Sequence, residues 1–133
     1  VPTEKINGID AIYPIGTYDF EKITGKKFDL EEFKKTPQFY YQGTKDKSNP
    51  FRRRAEDLTD EEYEIVKKLF VDGLPFEDKP VSLKVSTAMW NNSQKYINQI
   101  VNNVKFESPK GLGHEITTKM TKKSVEFIKE NLK

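Results

Sequence analysis

The chain has 133 residues and a formal net charge of +2, which fits one domain and argues against a dedicated nucleic-acid binder, since such proteins carry a basic excess. A hydrophobic content of 35% is low for a chain that must bury a large core of its own. The absence of cysteine excludes disulfides and thiolate metal sites and leaves the compartment open, and no apolar run approaches the roughly 18 residues a membrane span needs.

The chain opens Val1-Pro2 without a signal-type apolar core, which reads as a processed or excised chain. Residues 1–37 read as a connecting loop and a short helix. Gly8, Pro14, Gly16 and Gly25 punctuate the start, so no long element fits there. Ile9, Ile12, Tyr13 and Ile15 need cover, which is expected to come from structure outside this chain. Asp19 to Thr24 can make one helical turn before Gly25. Asp29 to Lys35 reads as a helix: Asp29 caps it, Glu31 and Glu32 suit its first turn, and Lys34 and Lys35 suit its last. Pro37 ends it.

Residues 38–50 read as a strand and a loop bearing an acid. Gln38 to Gln42 is a β-type run with three consecutive aromatics, stopped by Gly43, and Asp46 follows three residues later. A helix directly before a buried strand is half of a parallel crossover unit. Such a strand delivers an acidic side chain to the carboxyl end of a sheet, where open α/β sheets keep their sites. Asp46 also has a plain reading as a turn-former beside Lys45, Lys47, Ser48 and Asn49.

Residues 51–103 read as a helical insertion. Arg52, Arg53 and Arg54 are either an anion contact or a solvated stretch balanced by Glu56 and Asp57. Leu58 to Phe70 is the best local helix signal. Thr59 and Glu62 have capping-box spacing, and Leu58 and Tyr63 are placed as a hydrophobic staple. Tyr63, Val66 and Phe70 follow helical spacing, and Asp72-Gly73 stops the run. Glu61 and Glu62 sit in the first turn, where the helix dipole favours acids, so they are not read as a catalytic pair. Phe76 to Val85 reads as a loop. Ser86 or Thr87 can cap a helix to about Asn102, with Met89, Ser93, Tyr96, Ile97, Ile100 and Val101 as its buried stripe. Trp90 lies beside that stripe, as core or as the wall of a ligand pocket.

Residues 104–133 read as the last strand, Val104 to Glu107, then a loop Gly111-Leu-Gly-His114, then a helix capped by Thr117 or Thr118. Met120, Val125, Phe127, Ile128 and Leu132 give that helix an apolar side. His114 is the one histidine in the chain. It reads either as a surface residue in a turn or as the partner of Asp46. An acid on one strand-end loop can fix the tautomer of an imidazole on the next and stabilise the imidazolium formed when it takes a proton. The fold class is therefore α/β. Two short parallel strands leave raw edges and a thin core, so the pattern is that of the last third or half of a larger fold.

Tyr40-Tyr-Gln-Gly-Thr-Lys-Asp46, a helical insertion, and Gly111-Leu-Gly-His114-Glu-Ile together resemble the C-terminal portion of an α/β-hydrolase. Tyr13-Pro-Ile-Gly-Thr-Tyr-Asp-Phe and Ile23-Thr-Gly-Lys-Lys-Phe-Asp-Leu are similar to the connecting segment of some bacterial esterase-like members. In that family the triad runs Ser, then Asp or Glu, then His along the chain. The resemblance implies that Asp46 is the triad acid and His114 the general base, acting on a carboxylic ester or related acyl substrate with no metal or organic cofactor. The family's nucleophile elbow is Gly-x-Ser-x-Gly, and Ser48, Ser82, Ser86, Ser93, Ser108 and Ser124 all lack that frame. The resemblance implies that the elbow and the oxyanion hole lie upstream of Val1, that this chain alone is inactive, and that it associates with its own N-terminal part or with a second copy. The competing class is a non-catalytic interaction module with a degenerate hydrolase-like fold.

Overall fold

Short-range hydrogen bonds decide where most of the elements begin. The computed structural model describes residues 2–6, 8–12, 16–48, 58–76 and 81–132. The arginine run 52–54 with Glu56 and Asp57, the residues Tyr13, Pro14 and Ile15, and Asn49, Pro50 and Pro80 lie outside the described residues.

The leading segment holds a small antiparallel hairpin, β1 (Lys5–Ile6) and β2 (Ile9–Asp10), with Lys5 opposite Asp10. The segment was expected to be irregular. Gly8 turns left-handed at φ 83° before β2, a conformation glycine adopts freely, and each strand is too short to show alternation in the sequence. The hairpin is clipped by an ion pair between Lys5 and Asp10 at 2.5 Å. Within the segment Ile6 packs against the main core and Ala11 is buried, while Ile12 is half-buried. Helix α1 (Phe20–Thr24) ends at Gly25 in the left-handed conformation. Helix α2 (Leu30–Lys35) is capped by Asp29, whose carboxylate accepts the Glu32 N–H at 2.9 Å.

Helix α3 (Asp60–Val71) starts with both halves of the capping box in place: the Thr59 hydroxyl accepts the Glu62 N–H, and the Glu62 carboxylate accepts the Thr59 N–H. It stops where Asp72 turns left-handed at φ 55°. Helix α4 (Leu83–Ile100) begins earlier than its expected caps, Ser86 and Thr87. Ser82 is the cap, its hydroxyl accepting the Val85 N–H at 3.2 Å. The Ser86 N–H already donates to the Ser82 carbonyl at 3.0 Å, so Ser86 lies inside the helix. Its buried residues are accordingly Val85, Ser86, Ala88 and Met89, while Ser93, Tyr96, Ile97 and Ile100 of the expected stripe are only half-buried.

The main core lies between α3 and α4. Val66, Phe70, Val71, Phe76, Val81, Val85 and Met89 form it, and Tyr63 stacks on Phe76 with centroids 5.0 Å apart. The apolar faces of these two helices cover each other. Asn92 of α4 ties the pair together by donating to the Phe70 carbonyl at 3.2 Å and to the Asp72 carboxylate at 2.8 Å.

The site rests on a second layer, a two-stranded parallel sheet of β3 (Gln38–Tyr41) and β4 (Val104–Glu107), with Gln38 opposite Val104 and Tyr41 opposite Glu107. Alternation sends Phe39 to one face and Tyr40 to the other. Phe39 stacks on Phe127 of α5 (Thr118–Asn131) at 5.6 Å. Tyr40 stacks on Phe106 at 5.5 Å, and Trp90 of α4 meets Phe106 edge-on at 5.7 Å. Trp90 thus packs on the sheet. Parallel strands are found with both faces covered, and here α4 and α5 supply the two covers. On α5 the expected apolar side divides in two. Met120 and Phe127 are buried, whereas Val125, Ile128 and Leu132 are 43%, 53% and 77% exposed. A helix laid on two narrow strands is covered along one stripe only.

Candidate acid–base site

Both strands deliver their loops to the same end of the sheet. The Gln42 N–H continues the ladder past β3 by donating to the Glu107 carbonyl at 3.1 Å. The two loops are then joined directly. The Thr44 N–H donates to the Pro109 carbonyl at 3.1 Å, the Lys45 N–H to the Leu112 carbonyl at 2.8 Å, and the Gly111 N–H to the Thr44 hydroxyl at 2.8 Å. Gly43 makes this possible. A Cβ there would stand 2.2 Å from the Leu112 carbonyl oxygen, so only a residue without a side chain lets the loops close.

Asp46 and His114, sixty-eight residues apart in the chain, meet across this junction: His114 Nδ1 lies 2.9 Å from Asp46 Oδ2. The other carboxylate oxygen accepts the Ser48 N–H at 2.8 Å. The turn-forming and imidazole-pairing readings of Asp46 are therefore compatible, with one oxygen serving each. Exposure divides the pair sharply, with the Asp46 side chain 10% exposed and that of His114 79%. Burial works to raise the Asp46 carboxyl, but the Ser48 amide, the His114 ring and the Ser48 hydroxyl together hold it below the ordinary carboxylate value.

A carboxylate on Nδ1 selects the Nδ1–H tautomer and leaves Nε2 as the basic atom. Among the described residues no hydrogen bond reaches Nε2. Ser48 Oγ approaches the ring at 3.2 Å, but at Nδ1, the nitrogen already committed to Asp46. A serine activated by this histidine must face Nε2 instead, so Ser48 is placed to support the ring and not to be deprotonated by it. Tyr41, Gly113, Glu115 and Ile116 line a pocket around the pair. Among the described residues no three His, Asp or Glu side chains converge as a metal site requires, and no helix is long and apolar enough to cross a membrane.

Two further residues hold the acid loop from beneath, and sequence reasoning assigned neither to the site. Ser86 of α4 donates to the Asp46 backbone carbonyl, and its oxygen accepts from Gln42 Nε2 at 2.9 Å. Ser86 was read as a helix cap, and Gln42 as the end of a strand; nothing local to either marks the contact. Comparison of the chain with family models, curated proteins and solved structures gave no match.

Proposed function

We propose that this chain carries the acid and the base of a serine hydrolase of the α/β-hydrolase type, with Asp46 orienting His114 and His114 acting as general base toward a carboxylic ester or related acyl compound. The observation that carries the reading is the contact of the buried Asp46 carboxylate with Nδ1 of the exposed His114 at the carboxyl end of two parallel strands, with no hydrogen bond to Nε2 among the described residues. In such a site the base takes the hydroxyl proton of a nucleophile through Nε2, and the carboxylate stabilises the imidazolium that results. No serine in this chain has the Gly-x-Ser-x-Gly frame, so the nucleophile and oxyanion hole come from polypeptide outside these 133 residues. The Gln38 N–H donates to the Asn103 carbonyl just before β4 and the Gln42 N–H to the Glu107 carbonyl at its end, so alternation leaves the backbone groups of Phe39 and Tyr41 on the outer edge, where a further strand can join.

The experiment joins the chain to the rest of its reading frame and treats the product with a serine-directed acylating probe and an activated ester. Labelling and turnover are expected, and His114→Ala should abolish turnover. Asp46→Asn should cost roughly 10⁴-fold in kcat, as loss of the tautomer-fixing acid does elsewhere. Undiminished turnover by the His114→Ala protein, or a reading frame without a Gly-x-Ser-x-Gly after a strand, overturns the reading. The competing reading, a non-catalytic binding module, draws on the exposed Ile116, Val125, Ile128 and Leu132. It predicts association without turnover.

A further inference from the structure

The Asp46 loop is held at two levels. At the surface, Thr44 and Lys45 are bonded to the loop that carries His114, and Gly43 lies close against it. Beneath, a different element enters. Ser86 is 5% exposed and lies on α4, a helix whose neighbouring residues Val85 and Met89 belong to the main core. Its hydroxyl uses its hydrogen on the Asp46 carbonyl and an oxygen lone pair on Gln42 Nε2. Gln42 in turn is fixed at both of its backbone groups: its N–H donates to Glu107, and its carbonyl accepts the Ser108 hydroxyl at 3.0 Å. A buried hydroxyl with both capacities satisfied by the strand end and the acid loop does more than fill space.

We propose that Ser86 is a positioning residue that ties the acid loop to α4 and thereby sets the orientation of the Asp46 carboxylate toward His114. This rests on the reading that Asp46 selects the His114 tautomer. The chemistry is geometric. Asp46 must offer Oδ2 to the imidazole while Oδ1 holds the Ser48 N–H, and both demands are met together only if the backbone of residue 46 is fixed. The Asp46 N–H donates to the Gly43 carbonyl at 3.0 Å, the preceding Lys45 N–H to Leu112, and the Asp46 carbonyl is held by the Ser86 hydroxyl. Without Ser86 the Asp46 carbonyl is left buried and unpaired beside a cavity the size of a hydroxyl, and the loop turns to regain a partner. The carboxylate then drifts off the ring.

The test reads the ring itself. The nitrogen shifts of neutral His114 distinguish the Nδ1–H from the Nε2–H tautomer, and they are measured in the 133-residue chain, in Ser86→Ala, in Asp46→Asn and in the double variant. The Nδ1–H form is expected to dominate in the parent chain, and Ser86→Ala should shift the ring substantially toward Nε2–H. In the Asp46→Asn background the same change should do nothing further, because the effect travels through the carboxylate. Ser86→Thr, which keeps the hydroxyl, should restore the parent tautomer. Dominance of Nε2–H already in the parent chain would sink the underlying Asp46–His114 reading. A parent ring in the Nδ1–H form that is untouched by Ser86→Ala, or altered equally with and without Asp46, would sink the Ser86 proposal alone.

Discussion

Gly43→Ala is the sharpest perturbation of the site, because it acts on the loop junction without touching Asp46 or His114. The new methyl would stand 2.2 Å from the Leu112 carbonyl oxygen and 2.6 Å from that of Gly113. An ordinary carbon–oxygen contact is about 3.3 Å or more. Both obstacles are backbone atoms, so no side-chain rotation relieves them and the loops must part by about 1 Å. That separation takes the Lys45–Leu112, Thr44–Pro109 and Gly111–Thr44 hydrogen bonds, now 2.8, 3.1 and 2.8 Å, beyond useful length. At about 0.5–1.5 kcal/mol each, losing the three costs roughly 2–4 kcal/mol. Urea unfolding should show a lower midpoint at unchanged slope, and the His114 side-chain resonances should lose the signature of the Asp46 contact. Gly113→Ala is the internal control. A Cβ there meets nothing within 4 Å, so the change should stay within about 0.5 kcal/mol of the parent. A Gly43→Ala protein as stable as the Gly113→Ala protein would refute the close approach of the two loops.

Phe76→Ala should cost about 3–5 kcal/mol in the same unfolding experiment, because Phe76 is only 1% exposed and stacks on Tyr63; a loss under about 1 kcal/mol would place the core elsewhere. Asp46 carries a pH prediction of definite sign. Its carboxyl is depressed in the folded chain, so its contribution to stability is complete above the unfolded midpoint, about 3.9, and is lost as pH falls through the lower folded one. Asp46→Asn should therefore flatten the acid limb of the stability curve below about pH 4, and an unchanged limb would contradict the depression. Ile128→Lys with Leu132→Lys should leave the unfolding midpoint nearly unchanged, since both side chains already face outward. The double change should weaken any self-association seen by sedimentation at micromolar concentration; association that survives it undiminished would show that the Ile128 and Leu132 face is not the contact.

What the sequence determined by itself was local. Thr59 with Glu62 and Asp29 three residues before Glu32 each specify a helix start, because each bond closes within one turn of chain, and the last helix was narrowed to Thr117 or Thr118, of which Thr117 is the cap. The aromatic run at Phe39 to Tyr41 and the glycine after it marked a strand and its end for the same reason. The placing of Asp46 and His114 at one end of the sheet was also legible, since parallel strands bring their carboxyl ends together whatever their sequence separation. Tertiary structure decided what propensity leaves equal. Ser82 and Ser86 are the same residue type four positions apart on one helix, and only the arrival of the acid loop makes one a cap and the other a buried bracket. Met120 and Phe127 compete with Val125, Ile128 and Leu132 for the inside of α5, and the width of a two-stranded sheet admits one stripe. Gly43 reads as a strand terminator until Leu112 stands against it. In each case the deciding partner lies tens of residues away, so its effect is a matter of excluded volume and unpaired polar groups in the folded chain, which no local pattern encodes.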